Sequence, residues 1–341
     1  MRVEKIFPLK KANGQCWPKM KEAQRSALNR VSAQLRSREY STVENNCLCR
    51  SKANDIVLAN YDRFGLPFSF KLCKECSLIR TDPTLDQKSL DSFYKNDFSL
   101  MHRGSLTATD EYFKRFLAQG ESFLELLKRL DVFDDVRDIL EVGCSAGGNL
   151  YPLFLAGKNV IGFDYDANYL EYGQKLGMNL VEGDFYQKVS SNSQDLVILS
   201  HVLEHFRDPI REICKVIEKI KENKHLLIEV PGVLHIGNSV YTPLNYFQND
   251  HIFHFNKKHL AVFFTTMGLE ILHSDDICRF VLKKPESWRP RTDVAINDGS
   301  LRGHYISIQD YIFKTLLEDK YFPYRRVKHS VGNFLRGGQE L

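Results

Sequence analysis

The sequence predicts an α/β fold built on a doubly wound, mostly parallel seven-stranded sheet, and three observations carry that prediction. Short apolar runs alternate with helical periodicity between residues 137 and 285, the pattern of a parallel sheet covered by helices on both faces. The strand candidates are nearly continuous in Val, Ile, Leu and Phe, as strands buried on both faces require. A glycine-rich turn, "GCSAGG" at 143–148, joins the first of these strands to a helix. In open α/β sheets, ligands bind at such strand ends.

In chain order, "RDILEV" reads as the first strand, "GNLYPLFLAG" as a helix and "NVIGFD" as the second strand. "ANYLEYGQKLG" is a helix, "NLVEGD" a strand and "DLVILS" a strand. A helix then runs from Pro209 to about Glu222, with Asp208 as its N-cap and Pro209 at its first position. "HLLIEVP" is the fifth strand and "NKKHLAVFFTTMG" a helix, and "LEILHSDD" with "RFVLKKP" closes the sheet as a final pair. Upstream, Phe113, Phe116, Leu117, Phe123, Leu124, Leu127 and Leu130 recur at spacings of three and four, which predicts a helix over 110–131.

Around this unit the chain divides into a basic N-terminal arm (1–45, with weak helical periodicity from Met20 to Leu35) and a cysteine-rich segment (46–83). A helical connector or lid (84–136) leads into the α/β domain (137–285), and a basic, aromatic C-terminal extension (286–341) follows it, with a short helix at "SIQDYIFKTLLED". The 341 residues are 43% hydrophobic and 26% charged with a formal net charge of +4, a balance that gives no reason to expect nucleic acid. No apolar run is long enough to span a membrane, and the N-terminus lacks the apolar core of a secretory signal, so a cytoplasmic protein with reduced thiols is expected.

The loop after the first strand has two incompatible readings. Gly143-Cys144-Ser145-Ala146-Gly147 is a literal G-x-S-x-G, the elbow that presents a hydrolase serine. An elbow needs several strand and helix units before it and an oxyanion loop upstream, and neither is present. A nucleotide-binding loop instead needs an acidic residue about 20 positions on, at the end of the next strand, and Asp164 stands there. Serine at 145, where a pyrophosphate-binding loop needs its second glycine, disfavours dinucleotides and suits a ligand that has ribose but no phosphate.

On "ILEVGCSAGGNL", "VIGFDYD", "VEGDF" and "DLVILSHVLEHFRDP", in this order, residues 137–285 resemble the class I S-adenosylmethionine-dependent methyltransferases, with their Rossmann-like fold. The resemblance implies that Glu141, Gly143, Ser145 and Gly147 line the methionine and ribose side of the cofactor. It further implies that Asp164 holds the ribose and that Asp184 and the Phe185 backbone meet the adenine. Glu141 and Asp184 can also be read as ordinary strand-end polarity.

His201-Val-Leu-Glu204-His205 is a literal H-x-x-E-H, but it follows a strand instead of lying on a helix, so its histidines do not share a face as a zinc peptidase needs. At that strand exit His201 falls beside the cofactor's sulfonium, or else is a structural histidine. In "NDHIFHFNKKHL", Asp250, His251 and His254 are candidates for acceptor binding or base catalysis, with packing as the alternative for His251. Tyr94 and Phe98 either cover the cofactor or pack in the core.

Cys47-Leu-Cys49, then 23 residues, then Cys73-x-x-Cys76 can close four thiolates around a structural zinc ion, leaving no open position for catalysis. The remaining cysteines, Cys16, Cys144, Cys214 and Cys278, read as small core or loop residues. The segment from Cys47 to Pro83 resembles the N-terminal zinc-binding segment of methyltransferases from deoxysugar and surface-polysaccharide pathways. This resemblance implies a sugar, nucleotide-sugar or glycan acceptor, methylated on oxygen in preference to carbon. The alternatives are RNA methylation and a non-catalytic binding protein on the same scaffold. The sequence sets no oligomeric state.

Overall fold

The computed structural model describes residues 19–51, 55–238 and 243–321. The first 18 residues of the expected arm, with Cys16, and residues 322–341 of the expected C-terminal extension lie outside the described residues.

Helix α1 (Glu22–Ser37) falls in the segment expected as a basic arm, and it packs. Ala27 and Val31 are buried, Arg30 pairs with Asp97 at 2.6 Å, and the Tyr40 hydroxyl donates to the same carboxylate at 2.6 Å. Its partner is Tyr94–Arg103, ten residues wound as a π-helix that continues α2 (Gln87–Phe93). Between them, strand β1 (Thr42–Val43) pairs with β5 (Thr84–Leu85). Strands β2 (Ile56–Ala59), β3 (Phe70–Leu72) and β4 (Ile79–Thr81) form an antiparallel sheet over the cysteine quartet.

Helix α3 (Asp110–Arg129) starts at the Thr109 cap, whose hydroxyl accepts the Tyr112 N–H, and buries Phe113, Phe123, Leu126 and Leu127. The main sheet follows: β6 (Asp138–Val142), α4 (Tyr151–Leu155), β7 (Asn159–Asp164), α5 (Ala167–Lys175), β8 (Asn179–Glu182), β9 (Gln194–Ser200), α6 (Pro209–Lys219) and β10 (Ile220–Glu229). After α7 (Pro243–Tyr246), β11 (Phe253–His254) and α8 (Lys257–Thr266) come β12 (Glu270–Ser274), β13 (Arg279–Lys283) and α9 (His304–Tyr321).

Among the described residues the main sheet has seven strands in the order β12-β13-β10-β9-β6-β7-β8, with β13 alone running against the rest. The chain turns back between β6 and β9. That reversal leaves a crevice beyond the carboxyl ends of these two strands, the place where doubly wound sheets bind ligands. All seven strands fall where the sequence pattern puts them, because runs such as "LVILS" are buried along their length. The helix after the glycine loop begins at Tyr151, later than its apolar pattern suggests, because residues 148–150 are still wound in turns. Helix α6 ends at Lys219, and the chain from Ile220 already joins the sheet.

Two long-range ties matter for function. Strand β11 leaves the α/β domain and becomes the edge of the cysteine-module sheet, pairing with β4. The C-terminal extension returns to the same module: the Ile296 N–H donates to the Leu48 carbonyl at 3.0 Å, and the Ser77 hydroxyl donates to the Leu301 carbonyl at 3.0 Å. Helix α9 buries Ile308, Ile312 and Leu316.

Candidate active site

The glycine loop is held by backbone geometry. Gly143 sits at φ 72°, and a Cβ there would lie 2.6 Å from Val202 of the neighbouring strand exit, so glycine lets the two loops touch. Ser145 is also left-handed, at φ 49°, and its N–H donates to Asp164 at 2.8 Å. The other Asp164 oxygen accepts the Asp166 N–H at 2.9 Å. One carboxylate thus pins both strand-end turns, with β6 and β7 in parallel register behind it. The Ser145 hydroxyl pairs with the Tyr112 hydroxyl at 3.0 Å, a contact that makes no hydrolase triad.

Glu141 is fully buried, and Asn149 donates to its Oε1 at 2.8 Å. Its Oε2 and the Asn149 Oδ1 have no hydrogen-bond partner among the described residues. Two unpaired buried acceptors at a strand end suit a ligand with a cationic amine, such as the methionine part of S-adenosylmethionine. Asp184 is exposed at the end of β8 and accepts the Tyr186 N–H at 3.0 Å, while Phe185 beside it is buried. The connector reaches this strand end from the N-terminal side: Arg103 lies 3.5 Å from Asp166 and its guanidinium stands 4.3 Å from the centre of the Tyr169 ring.

Two expected outcomes follow here. Asp164→Ala removes the acceptor for both turns and the carboxylate expected to hold a ribose, so S-adenosylmethionine binding should weaken by about 1 to 3 kcal/mol; unchanged affinity in a calorimetric titration would place the ribose elsewhere. Burial pushes the Glu141 carboxyl up to about 8 from its usual 4.5. With the folded pKa above the unfolded one, its stabilising contribution is complete below about 4.5 and is lost as pH rises through about 8. Glu141→Gln keeps the Asn149 bond and removes the ionisation. Its melting temperature should therefore gain on the wild type across that window, and a gap that stays constant with pH would contradict this.

The second half of the site is a cluster of acidic and imidazole groups. His201 follows β9 at φ 55°, a left-handed conformation that is costly for histidine, with its N–H held by the Glu229 carbonyl at 2.8 Å. Its ring lies between two carboxylates, Nδ1 at 3.5 Å from Glu204 and Nε2 at 3.7 Å from Glu229. Although burial opposes its charge, the Glu204 and Glu229 carboxylates raise the imidazole above its usual value. Glu229 is fixed in turn by Gln119, which donates at 2.7 Å, and by Arg279. His201 and Glu229 open onto a cavity of about 180 Å³ that Pro231, Gly232, His235 and Tyr246 also line.

Behind His201, the loop at 249–252 is buried and stitched to the cysteine module. Thr81 donates its hydroxyl to the His251 carbonyl at 2.6 Å and its N–H to the Ile252 carbonyl at 3.0 Å, and the Ile252 N–H reaches the Glu204 carbonyl at 2.8 Å. His251 lies 4.0 Å from Glu204 through Nε2, and Asp250 lies 3.7 Å from both His102 and His205. His254 departs from the sequence expectation. It is buried among Phe70, Tyr246 and Phe247, both ring nitrogens lack partners among the described residues, and burial pushes its pKa down to about 3. Packing explains its place. Tyr94 likewise turns its hydroxyl to His205 at 2.8 Å, and Phe98 stacks on His102 with ring centres 4.6 Å apart.

Glu204 and Glu229 are the groups that sequence reasoning missed. Glu204 is 1% exposed and stands within 4.0 Å of His201, His205 and His251. The signal was the H-x-x-E-H string itself, set aside with the peptidase reading. Glu229 ends "LLIE", an acidic residue at a strand terminus next to β9, as Glu141 and Asp164 are at theirs.

In the cysteine module all four thiols are buried. Their sulfurs lie 3.3 Å (Cys47 to Cys76), 3.5 Å (Cys47 to Cys49) and 3.7 Å (Cys49 to Cys73) apart. Four Zn–S bonds of about 2.3 Å put tetrahedral sulfurs about 3.8 Å apart, so the quartet is nearly the size that the ion requires.

Residues 111–274 match the family model described as a methyltransferase domain. No curated protein matches the chain. Among solved structures, the chain is similar to an S-adenosylmethionine-dependent methyltransferase from Mesorhizobium loti (19% identity, TM-score 0.27), covering 30% of this chain and half of that one. It is also similar to an S-adenosylmethionine-dependent methyltransferase from Archaeoglobus fulgidus (19% identity, TM-score 0.39), with 55% of this chain and 98% of that one covered. An O-methyltransferase family protein from Burkholderia thailandensis shares 15% identity at a TM-score of 0.44, with 57% and 64% covered. The family match spans the glycine loop, Asp164 and the β9 exit, so residues 111–274 of the chain form a methyltransferase domain.

Proposed function

We propose that this protein transfers a methyl group to a hydroxyl oxygen of a sugar, nucleotide-sugar or glycan, with His201 as the general base. The observation that carries the reading is the placement of His201. It is held in a costly backbone conformation, between two carboxylates, at the wall of a cavity, and the next residue, Val202, meets Gly143 of the glycine loop. S-adenosylmethionine supplies an electrophilic methyl on a sulfonium. The chain's own residues do the rest.

Glu141, Ser145, Gly147 and Asp164 hold the cofactor, with Asp184 and Phe185 at its adenine end. The Glu204 carboxylate, 3.5 Å from Nδ1, favours the tautomer with its proton there, which leaves Nε2 on the Glu229 side to take the acceptor's proton. The hydroxyl oxygen forms its bond to the methyl carbon while the carbon–sulfur bond breaks, and the proton passes to the imidazole. Asp250 and His251 shape the rear of the acceptor side from the loop that the cysteine module anchors. Cys47, Cys49, Cys73 and Cys76 would hold a zinc ion whose work is structural, because four thiolates complete its shell.

The test is to incubate the purified protein with S-adenosylmethionine and a panel of nucleotide-sugars, free sugars and small RNAs, measuring S-adenosylhomocysteine release and product mass. Methylation of a carbohydrate hydroxyl is expected. Turnover only of an RNA or of an acceptor without a sugar would overturn the assignment.

A further inference from the structure

We infer that Glu204, His205 and His251 form a second metal centre, distinct from the cysteine quartet, that binds one divalent transition-metal ion on the acceptor side of the site. The inference rests on reading this face as the acceptor side.

Three observations lead there. First, both oxygens of Glu204 are buried and without a hydrogen-bond partner among the described residues. A desolvated carboxylate in that state is costly unless a cation meets it. Second, the imidazoles of His205 and His251 face it without hydrogen-bonding to it. His205 Nε2 lies at 3.9 Å and His251 Nε2 at 4.0 Å from Glu204 Oε1. These separations are too long for hydrogen bonds. They approach the ~3.4 Å between ligand atoms that surround one ion at ~2.1 Å, so a small inward movement completes the site. The ligand atoms of these three residues all lie within 4.8 Å of one another.

Third, the tautomer of His205 is already set for ligation. Its Nδ1 lies 3.0 Å from the Asp250 carbonyl oxygen, which can only accept, and 2.8 Å from the Tyr94 hydroxyl. The ring proton therefore sits on Nδ1, and the Nε2 lone pair is left on the Glu204 side. Metal-bound histidines are oriented in this way by a carbonyl behind the ring. On His251, the Gln248 amide nitrogen contacts the ring at 2.7 Å and 3.2 Å and must turn aside for Nε2 to reach the ion.

Two imidazoles and one carboxylate favour Zn²⁺, Mn²⁺ or Fe²⁺ over Mg²⁺, which prefers an all-oxygen shell. Three protein ligands leave open positions, and the partly exposed His201 ring, 3.5 Å from Glu204, marks the side on which they open. An acceptor hydroxyl bound there would lie within reach of the His201 base. The cysteine quartet offers no such position.

Mn²⁺ serves as the probe, because thiolates select softer ions and the manganese signal reports the nitrogen and oxygen site. Full-length protein carrying one zinc ion per chain, enough for the cysteine quartet alone, is titrated with Mn²⁺, and the loss of the free-ion electron paramagnetic resonance signal gives stoichiometry and affinity. Binding of one Mn²⁺ per chain is expected, with nitrogen modulation in the pulsed spectrum of the wild-type protein from two imidazoles. Glu204→Gln and His251→Ala should each weaken binding at least tenfold while leaving S-adenosylmethionine affinity unchanged, the latter serving as the check that both variants fold. No bound Mn²⁺, bound Mn²⁺ without nitrogen modulation, or undiminished binding in folded variants would overturn the site. Sugar methylation that persists in protein holding only the quartet's zinc, alongside any of these results, would sink the metal centre alone and leave the acceptor assignment standing.

Discussion

Cys73→Ser is expected to lower the melting temperature sharply and to abolish most activity, although Cys73 is no part of the cofactor site. A structural zinc site contributes about 10 to 16 kcal/mol to the folding of the segment that binds it, and loss of one thiolate forfeits a large share. The segment has little else to hold it, because strands β2, β3 and β4 have only three or four residues each. Its collapse would release Thr81 and β4, and with them the hydrogen bonds that position His251, Ile252 and β11. Displacement of an active-site loop by an ångström can cost about 10²-fold in rate. Thermal unfolding, zinc content and turnover measured on one sample check this chain of effects. A variant without zinc that keeps wild-type stability and rate would show that the quartet packs without metal.

His201→Ala should lower kcat by about 10²- to 10⁴-fold, the usual contribution of a general base, with S-adenosylmethionine affinity held within a few-fold of wild type. The separation follows from the geometry. Val202, not the His201 ring, meets Gly143, and the imidazole faces Glu204, Glu229 and the cavity. Turnover and calorimetry with the acceptor found by the panel decide it. A retained kcat would move the base to the Asp250 and His251 side.

The main sheet was legible because each central strand is buried on both faces and so is written as an unbroken apolar run. Asp208 and Pro209 announced α6 for a similar reason, since capping is a local matter. What escaped the sequence depends on segments far apart in the chain. The packing of α1 rests on Arg30 and Tyr40 meeting Asp97, about 60 residues away, and the π-helix at Tyr94–Arg103 has no apolar period to reveal it. Two-residue β11 carries no strand pattern, yet it fixes the acceptor loop to the cysteine module. Within the candidate site, the place of Asp164 at the end of β7 was legible from the strand pattern alone. The centrality of Glu204 appears only once His251, 47 positions later, folds back beside it.

Calorimetric titration of the zinc-replete protein with S-adenosylmethionine and, separately, S-adenosylhomocysteine tests the central claim most directly. One site per chain with micromolar affinity, weakened by Asp164→Ala, is the predicted result. A folded protein that binds neither compound would contradict it and leave the glycine loop as scaffold alone.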